Sequence, residues 1–579
     1  MGKIITRKPW AFLDEFRGTY FTGEWPTLPE MLEITLQRFP QRNAFTVFEP
    51  DRITLTYTET LEKIKMLALW LKEQGVQKGD RVVVSGKNSP EWAIVFFAAG
   101  FADAVAVPID YALHDKEIET LCNRAKPTIA FFDEERYPVF YEKAKTNPAL
   151  GKVYGLNKKQ GDAYVYNLKP KAPLSELKTT CVSSDMAALL FTSGTTGNPK
   201  GVMLSHNNLV SDCYIAQMNL PIYETDIFYA LLPLHHSYTL LAVLIETVSV
   251  GAEVVFGKSL AVTKMLKELK EGKISMLLGV PLLFNKLIAG IMKGIKAKGF
   301  FISGLMYTMM GLSYTVKKVF GVNIGKKLFG PILKKAGLNH IRIAICGGGP
   351  LAASVFRRYN ELGIDFVQGY GLTETSPIVA LNPVEYFKIE SVGSYFAPYM
   401  EAKVINANED GVGELCFKGP MVMQGYYEMP EETKAVFTED GFFKTGDLGK
   451  IDDENYIYLM GRAKNMIVTS GGKNVYPEEI ENAFQLFYNE IEQITVCGYK
   501  TGEESADEEV EALIYISDAL YTKNAGSRGE TESDKKAQAA VSEIVNAVNK
   551  DLQPYQRITK ITFLEKPLEM TTTQKVKRH

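Results

Sequence analysis

Residues 191–201 read FTSGTTGNPKG: an apolar strand end at Phe191, then a run of small and hydroxyl residues, then Lys200. Glycines let backbone N–H groups curl around an anion. Ser193, Thr195 and Thr196 add hydroxyl donors, and Lys200 adds a positive charge. Such a loop suits a polyphosphate. It is not a Walker loop, because no Gly-Lys-Ser/Thr follows a glycine at the required spacing. The plain alternative is a Gly/Ser/Thr-rich surface turn, but a turn needs no dense run of donors directly behind a buried strand.

Six more stretches follow in order: LPLHHSY (232–238), CGGGP (346–350), QGYGLTETSP (368–377), KTGDLG (444–449), GRAKNMIVTSGGKNVYPEEIE (461–481) and TTTQKVKR (571–578). From about residue 30 to the end, this series resembles the adenylate-forming superfamily, which includes acyl-CoA synthetases, luciferases and the adenylation domains of peptide synthetases. Within it, the chain looks most similar to long-chain fatty acid–CoA ligases, on VPLLFNKL (280–287) and on the long apolar region between His236 and Cys346.

The resemblance implies a role for each matching position. Thr192, Ser193, Gly194, Thr195, Thr196, Gly197 and Lys200 hold the β- and γ-phosphates of ATP. Gly347, Gly348 and Gly349 line the adenine slot, where bare backbone admits a flat ring. Gln368, Gly369, Tyr370 and Gly371 continue the nucleotide site, with Tyr370 stacked on adenine. Thr373 bonds the α-phosphate, and Glu374 with Thr192 holds Mg²⁺, a hard cation that takes oxygen ligands. Asp447 accepts from the ribose hydroxyls, and Arg462 reaches the ribose or phosphate. His236 lies near the acyl pocket, with neighbouring His235 leaving that assignment open by one position. Lys575 matches the catalytic lysine; Gln574 stands where the family usually has glycine, and Lys577 competes for the role. Lys464 falls at a hinge, and Gly471 and Gly472 at the pantetheine channel. Simpler readings exist for single motifs: a glycine turn before a helix cap for GYGLTET, a surface ion pair for Asp447 and Arg462, a solvated basic tail for the terminus.

The implied reaction has two halves. A carboxylate attacks the α-phosphorus of ATP and pyrophosphate leaves; a thiol of coenzyme A then attacks the acyl-adenylate and AMP leaves. Lys575, Glu374, Thr373 and His236 are the residues expected at the reacting groups. A long-chain fatty acid is the expected acid. Three alternatives stay open: a ligase for a medium-chain or aromatic acid, a ligase loading acyl carrier protein, and a catalytically silent lipid-binding protein. An amino-acid substrate would need a carboxylate for its ammonium, which LPLHHSY lacks.

These motifs require strands to carry them. RVVVSG (81–86), ALLFTSG (188–194), GAEVVFG (251–257), KISMLLGV (273–280) and IRIAICGGG (341–349) read as short buried strands separated by helices, which predicts an α/β fold with parallel-rich sheets. The 579-residue length, 46% hydrophobic, predicts more than one domain. The expected division is a large adenylation domain over 1–461 and a small mobile α+β domain over 462–579, with 521–536 as an exposed loop. A lysine-flanked apolar insertion spans about 286–336, with the uncharged run GFFISGLMYTMMGLSYTV between Lys298 and Lys317. It reads as a buried or partner-covered helical insertion, an in-plane membrane element, or a membrane span.

The net charge of -3 argues against nucleic acid as a partner. Six scattered cysteines fit a reducing compartment, and no histidine stands at zinc-ligand spacing from Cys, Asp or Glu. The expected location is cytoplasmic, with contact at the inner face of a membrane as an option. Met1, Gly2 and Thr6 fit the loose myristoylation pattern. Oligomeric state is not legible in the sequence.

Overall fold

A computed structural model describes residues 7–192, 199–258, 261–469, 473–500, 508–523, 526–570 and 576. The expected buried strands form where the apolar runs lie. Val82–Val84, Ala106–Val107 and Ile129–Phe132 are sealed from solvent on both faces. They belong to a seven-stranded sheet ordered Gly425–Tyr426, Lys200–Ser205, Met186–Thr192, Val105–Pro108, Arg81–Ser85, Ile129–Phe132 and Lys152–Gly155. Its inner pairs are parallel, as β–α–β crossovers demand. The strands Met186–Thr192 and Lys200–Ser205 are antiparallel, with Thr192 opposite Lys200. The phosphate-loop motif therefore joins two strands of a hairpin, whereas a Walker loop runs from strand to helix.

A second sheet of nine strands has a parallel centre: Asp365–Gly371, Ile343–Cys346, Met276–Gly279, Ile227–Ala230, Glu253–Phe256 and Asn43–Val47 lie side by side. The helix Pro90–Phe101 is buried all round from Trp92 onward, as the apolar run after Glu91 requires. It starts cleanly because the Ser89 side chain accepts the Trp92 N–H and proline sits at the first turn. One apolar cluster runs through this helix and both sheets. A third, four-stranded antiparallel sheet holds Phe443–Ile451 beside Ile457–Arg462.

From Ile467 onward the chain builds its own sheet and its own apolar core, centred on Ile514, Val541 and Val545. Here one expectation fails. Much of 521–536 is helical: Asp518–Lys523 is a short helix, and Thr531 opens a helix running to Asp551. Its first turn is polar, with Glu532 and Asp534 favourable at a helix N-terminus. Its apolar face comes later, at Ala537, Val541, Val545 and Val548. The polar start hid the helix from a reading based on composition.

The insertion is helical, with Pro281–Lys296 followed by Phe300–Phe320. Among the described residues, no helix is long and apolar enough to cross a membrane, which removes the span reading.

A buried carboxyl lies on the helix Glu246–Val250, which continues a π-helical turn over Leu240–Ile245. Glu246 is 4% exposed, and its Oε2 accepts the Cys213 thiol at 3.1 Å. Burial pushes this carboxyl up to about 8. Its folded value stands above its unfolded one, so its contribution to stability is complete below pH ~4.5 and is lost as pH rises through 8. Glu246→Gln should therefore flatten the decline in stability between pH 6 and 9, with a gain of roughly 1–3 kcal/mol at pH 9. Urea unfolding at the two pH values checks this; parallel curves for variant and parent would refute it.

Candidate active site

The ends of the parallel strands deliver the motif residues to one region. The strand Ile343–Cys346 runs directly into Gly347, Gly348 and Gly349. Gly348 has φ +76°, a left-handed conformation that favours glycine. Gly347 packs so closely on the Tyr238 ring that a Cβ there would fall 2.9 Å from it. Tyr238 also donates to the Ile345 carbonyl at 3.1 Å, which fastens the HHSY segment beneath the glycine turn. One residue earlier, Ser237 Oγ lies 3.1 Å from Thr373 Oγ1. His236, which caps the short helix Ser237–Thr239, is thus held beside the turn that carries Thr373 and Glu374.

Gln368, Gly369, Tyr370 and Gly371 lie on the neighbouring strand Asp365–Gly371. The Tyr370 hydroxyl donates to Asp447 Oδ2 at 2.7 Å. Burial, reinforced by that carboxylate, holds the phenol well above its ordinary value, so it remains a donor. Asp447 and Arg462 face each other across paired strands, and Arg462 Nε lies 2.7 Å from Asp447 Oδ1. Arg462 is 45% exposed, so the ion pair contributes only about 1 kcal/mol or less to stability. A carboxylate offers about four lone-pair positions, so Asp447 can accept further donors while holding both partners.

A second chain of contacts starts at Lys200. Its Nζ stands 4.6 Å from the centre of the Tyr426 ring. Tyr426 lies on the strand paired with Lys200–Ser205, and its hydroxyl donates to Glu374 Oε1 at 2.9 Å. Burial and the Glu374 carboxylate raise the Tyr426 phenol above its usual range, which keeps it a donor. The bond leaves Glu374 Oε2 for another partner. Carboxylate and Thr192 hydroxyl oxygens are the hard donors that suit Mg²⁺.

Ser193, Gly194, Thr195, Thr196, Gly197, Gly471, Gly472, Lys575 and Lys577 lie outside the described residues. Lys464 is exposed, within a 3-10 turn over Ala463–Asn465 that leads from the strand Ile457–Arg462 towards the small sheet. Gln485, in the small unit, donates to the Pro350 carbonyl at 2.9 Å and accepts the Ala352 N–H at 2.8 Å. The C-terminal unit thus rests beside the glycine turn.

Tyr426, Ser237 and Tyr238 were missed in the sequence. Only SY, adjoining the histidine pair, gave a local signal. The fold also gathers Asp110, His235 and His236, whose ligand atoms lie within 4.8 Å of one another. Asp110 follows a strand far upstream, so no spacing rule could have found this group.

Comparison with known proteins identifies the family and the fold. The AMP-binding enzyme family matches residues 32–427. A feruloyl-CoA synthase of Amycolatopsis sp. is 29% identical, covering 77% of this chain and 80% of its own length. The long-chain-fatty-acid–CoA ligase FadD15 of Mycobacterium bovis is 30% identical, covering 90% of each chain. Among solved structures, the ATP-bound RpMatB-BxBclM chimera B1 superposes with a TM-score of 0.74 at 26% identity, covering 96% of this chain and 97% of that one.

Proposed function

The chain belongs to the AMP-binding enzyme family, and from that premise we propose that it is an AMP-forming long-chain fatty acid–CoA ligase. The observation that carries the chemistry is the convergence of Tyr370, Asp447 and Arg462 with the Lys200–Tyr426–Glu374 chain around the Gly347–Gly349 turn. The substrates are ATP, coenzyme A and a carboxylic acid. The long-chain assignment draws on the FadD15 relative, whose similarity extends over nine-tenths of both chains.

Adenine lies against Gly347–Gly349 and the Tyr370 face. Asp447 takes the ribose hydroxyls, with Arg462 and Tyr370 fixing the carboxylate's orientation. Glu374 and Thr192 would hold magnesium, which would supply charge neutralisation for the phosphates. Lys200 and the hydroxyls of 192–196 hold the departing pyrophosphate. Thr373, positioned by Ser237, donates to the α-phosphate as negative charge grows there. His236, beside that turn, would face the acyl group. These groups do little covalent chemistry; they place a carboxylate oxygen in line with the α-phosphorus and stabilise charge.

Asp447→Ala should raise the KM for ATP about tenfold to a hundredfold, the loss of a charge-assisted hydrogen bond. The KM for the acid should change little. Initial-rate kinetics with each substrate varied checks this, and a KM for ATP that does not move would remove Asp447 from the ribose site.

The feruloyl-CoA synthase relative favours a second reading, an aromatic acid in the same pocket. AMP release measured with coenzyme A across short, medium, long and aromatic acids separates the two. A maximum at long chains supports the proposal; one at aromatic acids overturns the long-chain assignment and leaves the adenylation chemistry standing. Repeating the assay with acyl carrier protein as acceptor tests the thiol.

A further inference from the structure

Between Glu271 and Glu361 the chain runs 89 residues without an Asp or Glu, while carrying 14 Lys and Arg residues. This occurs in a protein whose net charge is -3. The centre of the run is the helix Phe300–Phe320, which has one fastened face and one open face. On the fastened face, Met310, Ser313 and Lys317 are buried. Lys317 Nζ lies 2.6 Å from both Asn360 Oδ1 and Asp365 Oδ1. Just beyond the helix, Gly325 abuts Gly363 so closely that a Cβ on Gly325 would fall 2.7 Å from the Gly363 nitrogen.

The open face carries Phe301, Leu305, Thr308, Leu312, Thr315 and Val319, all exposed. Their spacing alternates between four and three residues, which puts them on one stripe about 27 Å long. Phe300 and Phe301 are each 88% exposed. Of the 18 exposed large apolar side chains among the described residues, nine lie between Phe300 and Leu328. Apolar side chains gathered in this way mark an interaction surface. Exposed Lys293, Lys296 and Lys298 adjoin one end of the stripe, and exposed Lys327, Lys334 and Lys335 follow its other end.

We propose that the helix Phe300–Phe320 docks in the plane of an anionic lipid bilayer, with its stripe at the boundary of headgroups and acyl chains and the flanking lysines on the headgroups. Charge selects this occupant. A second copy of the chain would set lysine against lysine, with no carboxylate nearby in sequence to compensate. An anionic membrane complements the lysines and accepts the phenylalanines. The anchored inner face fixes the helix parallel to the protein surface. The proposal does not depend on which acid the enzyme activates.

The test is flotation of the full chain with vesicles of phosphatidylcholine alone and of phosphatidylcholine mixed with phosphatidylglycerol. The protein should float with the mixed vesicles and release as salt is raised. Phe300→Ser with Phe301→Ser should weaken partitioning about tenfold or more, and Lys293→Gln with Lys296→Gln and Lys298→Gln by a similar factor. Because these side chains point to solvent, both variants should keep the parental circular dichroism spectrum and AMP release from dissolved acid. The proposal fails if the protein floats with neither vesicle, binds both equally, or binds as before in both variants. It also fails if sedimentation reveals a dimer that the phenylalanine variant dissolves.

Discussion

Lys575→Ala should reduce acid-dependent pyrophosphate exchange about a thousandfold while leaving conversion of supplied acyl-adenylate to thioester within a few-fold of the parent. In the first half-reaction, negative charge grows on the α-phosphate oxygens and on departing pyrophosphate. An ammonium group placed there, with water excluded, favours the transition state over bound substrates. In the second, a thiol attacks an anhydride that is already activated, and that cation is no longer required. On either side of Lys575 in the sequence, Val576 forms an antiparallel bridge with Met570, and the Leu568 N–H bonds the Gln493 side chain at 2.6 Å. Lys577→Ala is the paired control. Exchange lost with Lys577→Ala and retained with Lys575→Ala would move the role by two residues; loss of both half-reactions with Lys575→Ala would end the division of labour.

How much of this was legible in the sequence depends on whether the determining interactions were local. The strand ending at Cys346 was readable because a short apolar run ending in glycine says both where a buried strand lies and where backbone must be bare. The helix Thr531–Asp551 was not, because its apolar face starts after a polar first turn. In the site, the nucleotide residues came from ordered motifs, whereas the residues holding them came from elsewhere in the chain. Tyr426 meets Glu374 because two strands pair at the sheet edge, and Ser237 meets Thr373 because the loops after Ile227–Ala230 and Asp365–Gly371 converge at the same end of the parallel sheet. Neither contact leaves a periodic trace. The apolar insertion shows the same limit. Its composition allowed burial, surface docking or a span, and only the fold shows Lys317 turned inward while Phe300 and Phe301 face solvent.

Lys464→Pro should have the opposite effect to loss of the terminal lysine: adenylate formation stays within a few-fold, and thioester formation falls about a hundredfold. The two half-reactions need different groups beside one carbonyl carbon, first a cation and then a thiol channel. Moving the small unit between them requires backbone dihedrals that can change. Lys464 is exposed in the 3-10 turn between the last strand of the antiparallel sheet and the first of the small one. Contacts that such a rotation must break include the two Gln485 hydrogen bonds at Pro350 and Ala352 and the approach of Lys286 to the Tyr488 ring at 5.4 Å. Each is worth about 1 kcal/mol net, so rotation is affordable on a catalytic timescale. Proline fixes φ at 464 and disfavours helical backbone at Ala463, which restricts both sides of the turn. Lys464→Ala separates backbone from side chain: it should retain both half-reactions, because φ stays free. If Lys464→Pro impairs adenylation and thioester formation equally, or if Lys464→Ala reproduces its effect, rotation at this residue is not what links the two steps.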